Sequence, residues 1–372
     1  MPLELACVVG ARPNFPKMAP LLRALRTGDL AGHANTTLIN TGQHYDASLS
    51  EIFLSELEMP PPDISLEVGS GSHAVQTARV LERMEKVLLN GPVGGGKFDW
   101  VVVVGDVNST MAAALAAAKL GIRVAHVEAG LRSFDRTMPE EINRIVTDSI
   151  SSLLLVSEQA GIDNLMREGH SPTCVKLVGN VMIDTLYRML GRAKALPIVD
   201  ELCLQSGHYG VLTMHRPANV DDPATLTALV EVLIEISEEI PFVFPVHPRT
   251  NKALIQSGLR VRMERASGLR LLGPLGYLSF LSLTSQARVI ITDSGGLQEE
   301  STVLGIPCLT LRSNTERPIT VTSGTSSLLG NDAGALQNAL QAVLSGRYKS
   351  STCPTLWDGH AAERIAESLI NG

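Results

Sequence analysis

Residues 293–301, Asp-Ser-Gly-Gly-Leu-Gln-Glu-Glu-Ser, bring two kinds of chemistry into one short stretch. The apolar run 287–292 before them reads as a buried strand, and 297–304 reads as a helix closed by Gly305 and Pro307. Ser294, Gly295 and Gly296 leave backbone N–H groups bare at the positive end of that helix, which makes a phosphate site. Helix side chains lean toward the N-terminus, so Glu299 or Glu300, roughly 6–9 Å along the axis, could reach hydroxyls near a bound phosphate. Phosphate and acid together suggest a ribose diphosphate, hence a nucleotide. An ordinary strand–helix turn with a serine cap would show the same Ser-Gly-Gly, so the reading leans on the glutamates and on the segment 309–318.

Other charged residues follow other strand-like runs. Arg12 and Lys17, after the run 5–9, sit where a Rossmann fold binds phosphate and could neutralise a diphosphate leaving group; surface charges at a helix start are the alternative. No GxGxxG is present, which disfavours a dinucleotide cofactor. Asp106, after 100–104, is either a helix cap or a group that acts on substrate. Glu128 breaks an apolar strand, where a carboxylate is costly unless paired or functional. Pro139 at a first helical turn makes Glu140 and Glu141 good dipole partners, a role that accounts for one of them. His215 and His247 each end a strand-like run. Metal ligation is not expected, because neither a helical HExxH spacing nor paired cysteines occur, and there is no GxSxG elbow or P-loop.

The elements that must position these residues alternate throughout. Strands are expected at 5–9, 37–40, 100–104, 123–127, 153–156 and 175–178, with helices at 20–26, 74–89, 111–120 and 141–151. In the helix 74–89, Val75, Ala78, Leu81, Met84 and Leu88 define the expected buried face. A second series has strands at 210–214, 242–246, 269–272, 289–292 and 308–311 and helices at 224–240, 277–283 and 297–304. The segment 191–208 reads as their connection. This is an α/β chain of βαβ units and parallel sheets, in two Rossmann-like domains facing a central cleft. The expected boundaries are 1–184 and 185–355, with 356–372 holding a short amphipathic helix that packs back on the first domain. At 372 residues, 44% hydrophobic with 32 glycines and 4% aromatics, each domain can bury its own core. A net charge of −7 argues against nucleic-acid binding. Five scattered cysteines suit buried free thiols in a reducing compartment. The absence of a signal segment or an apolar run of membrane length makes a cytoplasmic protein the expectation, with no membrane partner.

The segments GARPNFPKMAP, TGQHYD, GDVNST, HVEAGLRS, MPEEINR, TMHRP, PVHPRT, TDSGGLQEES and NTERP, in this order over nearly the whole chain, resemble the non-hydrolysing UDP-N-acetylglucosamine 2-epimerases. The resemblance implies the GT-B architecture, a UDP-sugar substrate, a homodimer, and inversion at C2 without NAD or metal. UDP would be eliminated across C1–C2 and re-added to a 2-acetamidoglucal. Carried over residue by residue, Asp106, Glu128 and Glu140 match the family's catalytic carboxylates and His215 its histidine. Arg12, Lys17, Arg144, His247, Ser294, Gly295, Gly296, Glu300 and Arg317 match substrate contacts, with Leu275 and Phe280 near the uracil. The segment between Glu128 and Glu140 is shorter than in some members, which leaves Glu141 as the alternate to Glu140. TGQHYD stands where bacterial members carry a TGQHRE-type segment that binds an activating second substrate; Gln43 and His44 remain as candidate allosteric residues. A 2-epimerase of a modified UDP-HexNAc, a GT-B glycosyltransferase and a non-catalytic UDP-sugar sensor are the alternatives.

Overall fold

The computed structural model describes residues 1–43, 54–92 and 94–372, so His44 lies outside the described residues. The chain divides into two compact units, residues 1–188 with 355–372, and residues 189–354.

Unit 1 is built on strands β1 (Leu3–Val9), β2 (Ala34–Asn40), β3 (Ile64–Ser65), β4 (Trp100–Val104), β5 (Arg123–Ala129), β6 (Leu153–Val156) and β7 (Val175–Leu177). They lie in the order β3-β2-β1-β4-β5-β6-β7, every neighbour parallel. The central strand β4 is apolar along its whole length and buried at every position, as a strand covered by helices on both faces must be. Unit 2 carries β8 (Gly210–Thr213), β9 (Phe242–Pro245), β10 (Leu269–Leu272), β11 (Val289–Thr292), β12 (Cys308–Thr310) and β13 (Ser326–Leu328). Their order is β10-β9-β8-β11-β12-β13, again all parallel. In each sheet the strand order reverses beside the first strand, between β1 and β4 and between β8 and β11. Ligands of open α/β sheets bind outside the strand ends at such a point.

Several elements differ from the sequence reading. The helix expected at 74–89 runs His73–Asn90, but its buried face is Gln76, Val80, Met84 and Leu88; Val75 and Ala78 are exposed. The face is rotated because Gln76 is held inside by polar partners, accepting from Asn108 Nδ2 at 3.0 Å. The segment read as a connection takes in the end of a helix, Val181–Lys194, and a short turn, Ile198–Glu201. Helices Gln159–Arg167, Pro248–Gln256, Leu259–Arg265 and Ala333–Leu344 were not foreseen.

The last helix, Ala361–Ile370, belongs to unit 1. Asp184 accepts the N–H groups of Ala361 and Ala362 at 3.2 and 2.6 Å, and the buried Trp357 donates its indole N–H to Ser157 O at 3.1 Å. Cys7 and Cys308 are buried free thiols, and burial pushes Cys7 up to about 12. No helix among the described residues is long and apolar enough to cross a membrane.

Candidate active site

At the reversal point of unit 1, buried Asn14 ties two strand ends together. Its Oδ1 accepts the N–H groups of Gly10 and Ala11, each at 3.0 Å, and its Nδ2 donates to Val104 O at 2.9 Å. The turn of β1 is thereby fixed against the end of β4. Lys17, on the helix Phe15–Arg26, is buried and paired with Glu128. Glu128 adopts φ +72°, the left-handed region that disfavours residues with a Cβ, and the β5–β6 register shifts between Val127 and Ala129. A bulge of this kind re-aims a side chain out of the strand pattern, and such backbone costs about 1–3 kcal/mol. Gly105 keeps the space open, since a Cβ there would lie 3.0 Å from Lys17 Nζ and 3.5 Å from Glu128 Oε2.

Asp106 is half-buried and paired with Arg144. Arg144 in turn donates through Nε and Nη2 to Glu141 at 3.2 and 2.8 Å. Glu141 also accepts the Ser133 N–H at 2.9 Å, the Ser133 hydroxyl at 3.1 Å and the Phe134 N–H at 2.9 Å. Burial pushes its carboxyl up, but these donors outweigh burial and hold it below the ordinary carboxylate range. Both oxygens of Glu141 are taken, whereas Glu140 is exposed. Arg144, expected among the substrate contacts, is buried with its guanidinium paired to Asp106 and Glu141. Gln43 is likewise buried, accepting from Ser109 N at 3.2 Å and Ser109 Oγ at 2.7 Å. Arg12 is half-buried in the turn Arg12–Asn14.

Behind these groups lies a charge network. His126 is wholly buried, with Nδ1 2.6 Å from Asp148 Oδ1 and Nε2 2.9 Å from Gly105 O. Asp148 Oδ2 accepts from Gly130 N at 3.1 Å and pairs with Arg132 at 2.7 Å. Burial raises the Asp148 carboxyl, and His126 and Arg132 overcome it, leaving the carboxyl below its usual range. The network thus stitches the Gly105 turn, which carries Asp106, to the turn that follows Glu128.

In unit 2, Asp293 directly follows β11, and its side chain turns back to the end of β8. Its Oδ2 accepts from His215 N at 2.8 Å, Arg216 N at 2.8 Å and Asn219 Nδ2 at 3.0 Å, and its Oδ1 lies 2.8 Å from His215 Nδ1. The His215 side chain is 42% exposed, and its ring centroid is 5.4 Å from that of His247. His247 caps the helix Pro248–Gln256, its Nδ1 accepting from Arg249 N at 3.2 Å.

The helix Gly295–Leu304 follows Asp293 directly. Ser294 is its N-cap residue but makes no side-chain cap bond, so the serine-cap alternative does not describe this turn. A Cβ on Gly296 would meet open space, and one on Gly295 would lie 2.8 Å from Arg317 Nη1. Arg317 pairs with Glu299 at 2.7 Å and Glu316 at 2.8 Å, and Glu316 also holds Arg312 at 2.7 Å. Glu299 is therefore engaged, and Glu300 is the acid left with a neutral partner, accepting from Tyr277 Oη at 3.1 Å. Burial pushes Glu300 up to about 7. Leu275 and Phe280 are half-buried beside this region's apolar core. Three residues with evident structural work, Asn14, Asp293 and Glu316, had been given no role from sequence. A polar side chain directly after a strand is the signal available for Asp293, and one directly before a helix is the signal for Asn14.

Two all-parallel Rossmann-like sheets, each with charged residues at its reversal point, define the two-domain α/β class of GT-B proteins. The chain matches the family model described as UDP-N-acetylglucosamine 2-epimerase over residues 29–370, and it belongs to that family of isomerase-type enzymes. It is 40% identical to the UDP-N-acetylglucosamine 2-epimerase of Methanocaldococcus jannaschii, covering 100% of both chains. It is 38% identical to the UDP-2,3-diacetamido-2,3-dideoxy-D-glucuronate 2-epimerase of Pseudomonas aeruginosa, covering 99% of each. The crystal structure of the Methanocaldococcus jannaschii UDP-GlcNAc 2-epimerase in complex with UDP-GlcNAc and UDP is similar with a TM-score of 0.88 at 40% identity, covering 100% of both chains.

Proposed function

We propose that this chain interconverts UDP-N-acetylglucosamine and UDP-N-acetylmannosamine by eliminating and re-adding UDP. The observation that carries the reading is the pairing of each buried or half-buried candidate carboxylate in unit 1 with its own cation, Glu128 with Lys17 and Asp106 with Arg144. The C2 proton of the sugar is not acidic enough for simple removal. A base takes it as the C1–O bond breaks, its electron pair forming the C1=C2 double bond of 2-acetamidoglucal while UDP leaves with the bonding electrons. Re-addition of UDP at C1, with protonation of C2 from the opposite face, gives the epimer. Such a path needs acid/base groups on both faces and strong stabilisation of the departing diphosphate. Asp106, Glu128 and Glu140 are the acid/base set, with Arg144 positioning Asp106. Unit 2 holds the nucleotide: the open turn Ser294–Gly296 and Arg317 take the diphosphate, Glu300 the ribose hydroxyls, and Leu275 and Phe280 the base. His215 acts at the leaving oxygen.

Positional isotope exchange tests the bond cleavage. With ¹⁸O in the sugar–phosphate bridge, elimination scrambles the label into the non-bridging positions of the β-phosphate. Epimerisation with the label retained wholly in the bridge would exclude elimination. A second reading, epimerisation of a 2,3-diacetamido uronic acid, is favoured by the 38% identity to the Pseudomonas aeruginosa enzyme. Comparing kcat/KM on the two UDP-sugars decides between them.

A further inference from the structure

We infer that Asp293 is a positioning residue for catalysis, fixing His215 as the tautomer that carries its proton on Nδ1 and leaves Nε2 for the leaving UDP oxygen. This rests on the epimerase reading above and deepens it. Asp293 is fully buried, and its two oxygens do different work. Oδ2 takes the N–H groups of His215 and Arg216 and the amide of Asn219, which fixes the backbone that carries His215. Oδ1 stands 2.8 Å from Nδ1. The contact is an ion-pair distance rather than an aligned hydrogen bond, and since a carboxylate only accepts, the ring form that can donate across it carries its proton on Nδ1. One carboxylate thus fixes the backbone that carries the imidazole and stands against one of its two ring nitrogens. Among the described residues, Arg216, whose Nε donates to Asp293 O at 3.0 Å, and the His247 ring face the pair. Asp293 also directly precedes the Ser294–Gly296 turn, so the histidine and the phosphate site share one anchor.

In the Asp293→Asn protein the carboxamide oxygen can still accept the backbone N–H groups, while its NH₂ turns to Nδ1 and demands an acceptor there. The proton then moves to Nε2. ¹⁵N-detected imidazole NMR, assigned by comparison with His215→Gln, reads the tautomer without any turnover. The Nδ1–H form is expected in the parent protein and the Nε2–H form in Asp293→Asn. Turnover should fall about 10²–10⁴-fold, with UDP affinity within about threefold, because the phosphate site keeps its backbone. In the His215→Gln background the same substitution should cost little, since Asp293 acts through the histidine. An unchanged tautomer in Asp293→Asn, or turnover losses that multiply independently in the double variant, would overturn the inference. A parent protein that does not epimerise would sink the epimerase reading instead, and the tautomer measurement would still judge the Asp293–His215 contact.

Discussion

Each unit sets an aspartate with no exposed surface against a histidine, and the two pairs differ in what the imidazole can reach. In unit 1, His126 is as buried as Asp148, and both ring nitrogens face acceptors, a carboxylate and the Gly105 carbonyl. A ring held on both sides can brace a turn but cannot exchange a proton with a ligand. In unit 2, Asp293 is equally buried, yet His215 is 42% exposed and its second nitrogen is not committed to a carbonyl. On the proposed reading the same two side chains serve as scaffold in one place and as chemistry in the other, and exposure separates them. Carboxylates divide in the same way: Glu141, saturated by Ser133, Phe134 and Arg144, is a brace, whereas its neighbour Glu140 faces solvent.

The contrast can be broken by substitution. The largest effect belongs to the proposed acid/base groups: Asp106→Asn and Glu128→Gln should each lower turnover about 10²–10⁴-fold. UDP affinity measured by calorimetry should stay nearly constant, and its collapse would make these residues structural. Next comes the buried pair of unit 1. Asp148→Asn removes the buried carboxylate that His126 and Arg132 share, leaving Arg132 only Glu168 as an acidic partner, and should lower unfolding free energy by about 3–5 kcal/mol. Urea denaturation checks this, and a loss below about 1 kcal/mol would mean that the network is not a brace.

A smaller effect concerns Glu300. Burial raises its native carboxyl to about 7, from 4.5 for an unperturbed glutamate. The folded protein therefore holds a proton that the unfolded chain has already released, and stability is lost as pH rises from about 4.5 through about 7. Relative to Glu300→Gln, the parent protein should lose on the order of 2–3 kcal/mol between about pH 4.5 and pH 8. A constant gap between the two denaturation curves would contradict that. The smallest effect on stability separates the adjacent glutamates: Glu141→Gln should cost about 1–3 kcal/mol, while Glu140→Gln should leave the melting temperature unchanged and lower turnover as the other acid/base substitutions do. The reverse pattern would exchange their roles.

Much of this was legible in the sequence because parallel strands covered on both faces read as unbroken apolar runs. Trp100–Val104, Leu153–Val156 and Val289–Thr292 are bounded as expected for that reason. Helices with mixed faces were not, as Gln76 shows: a polar residue satisfied inside the fold cannot be told from an exposed one by periodicity. The strained Glu128 backbone and the commitment of Arg144 to Asp106 and Glu141 were equally hidden, since spacing names the residue types at a site but not their partners. Ser294 shows the converse limit. Sequence could not say whether Ser294 caps its helix through its side chain, and the structure shows that it sits at the N-cap position without that bond.

The proposed division of labour, with proton chemistry in unit 1 and nucleotide binding in unit 2, is tested most directly by incubating the protein with UDP-N-acetylglucosamine in D₂O. Deuterium should enter C2 of both the starting sugar and its epimer, and Glu128→Gln should abolish the exchange while still binding UDP. A folded, UDP-binding parent protein that leaves C2 unlabelled would contradict it.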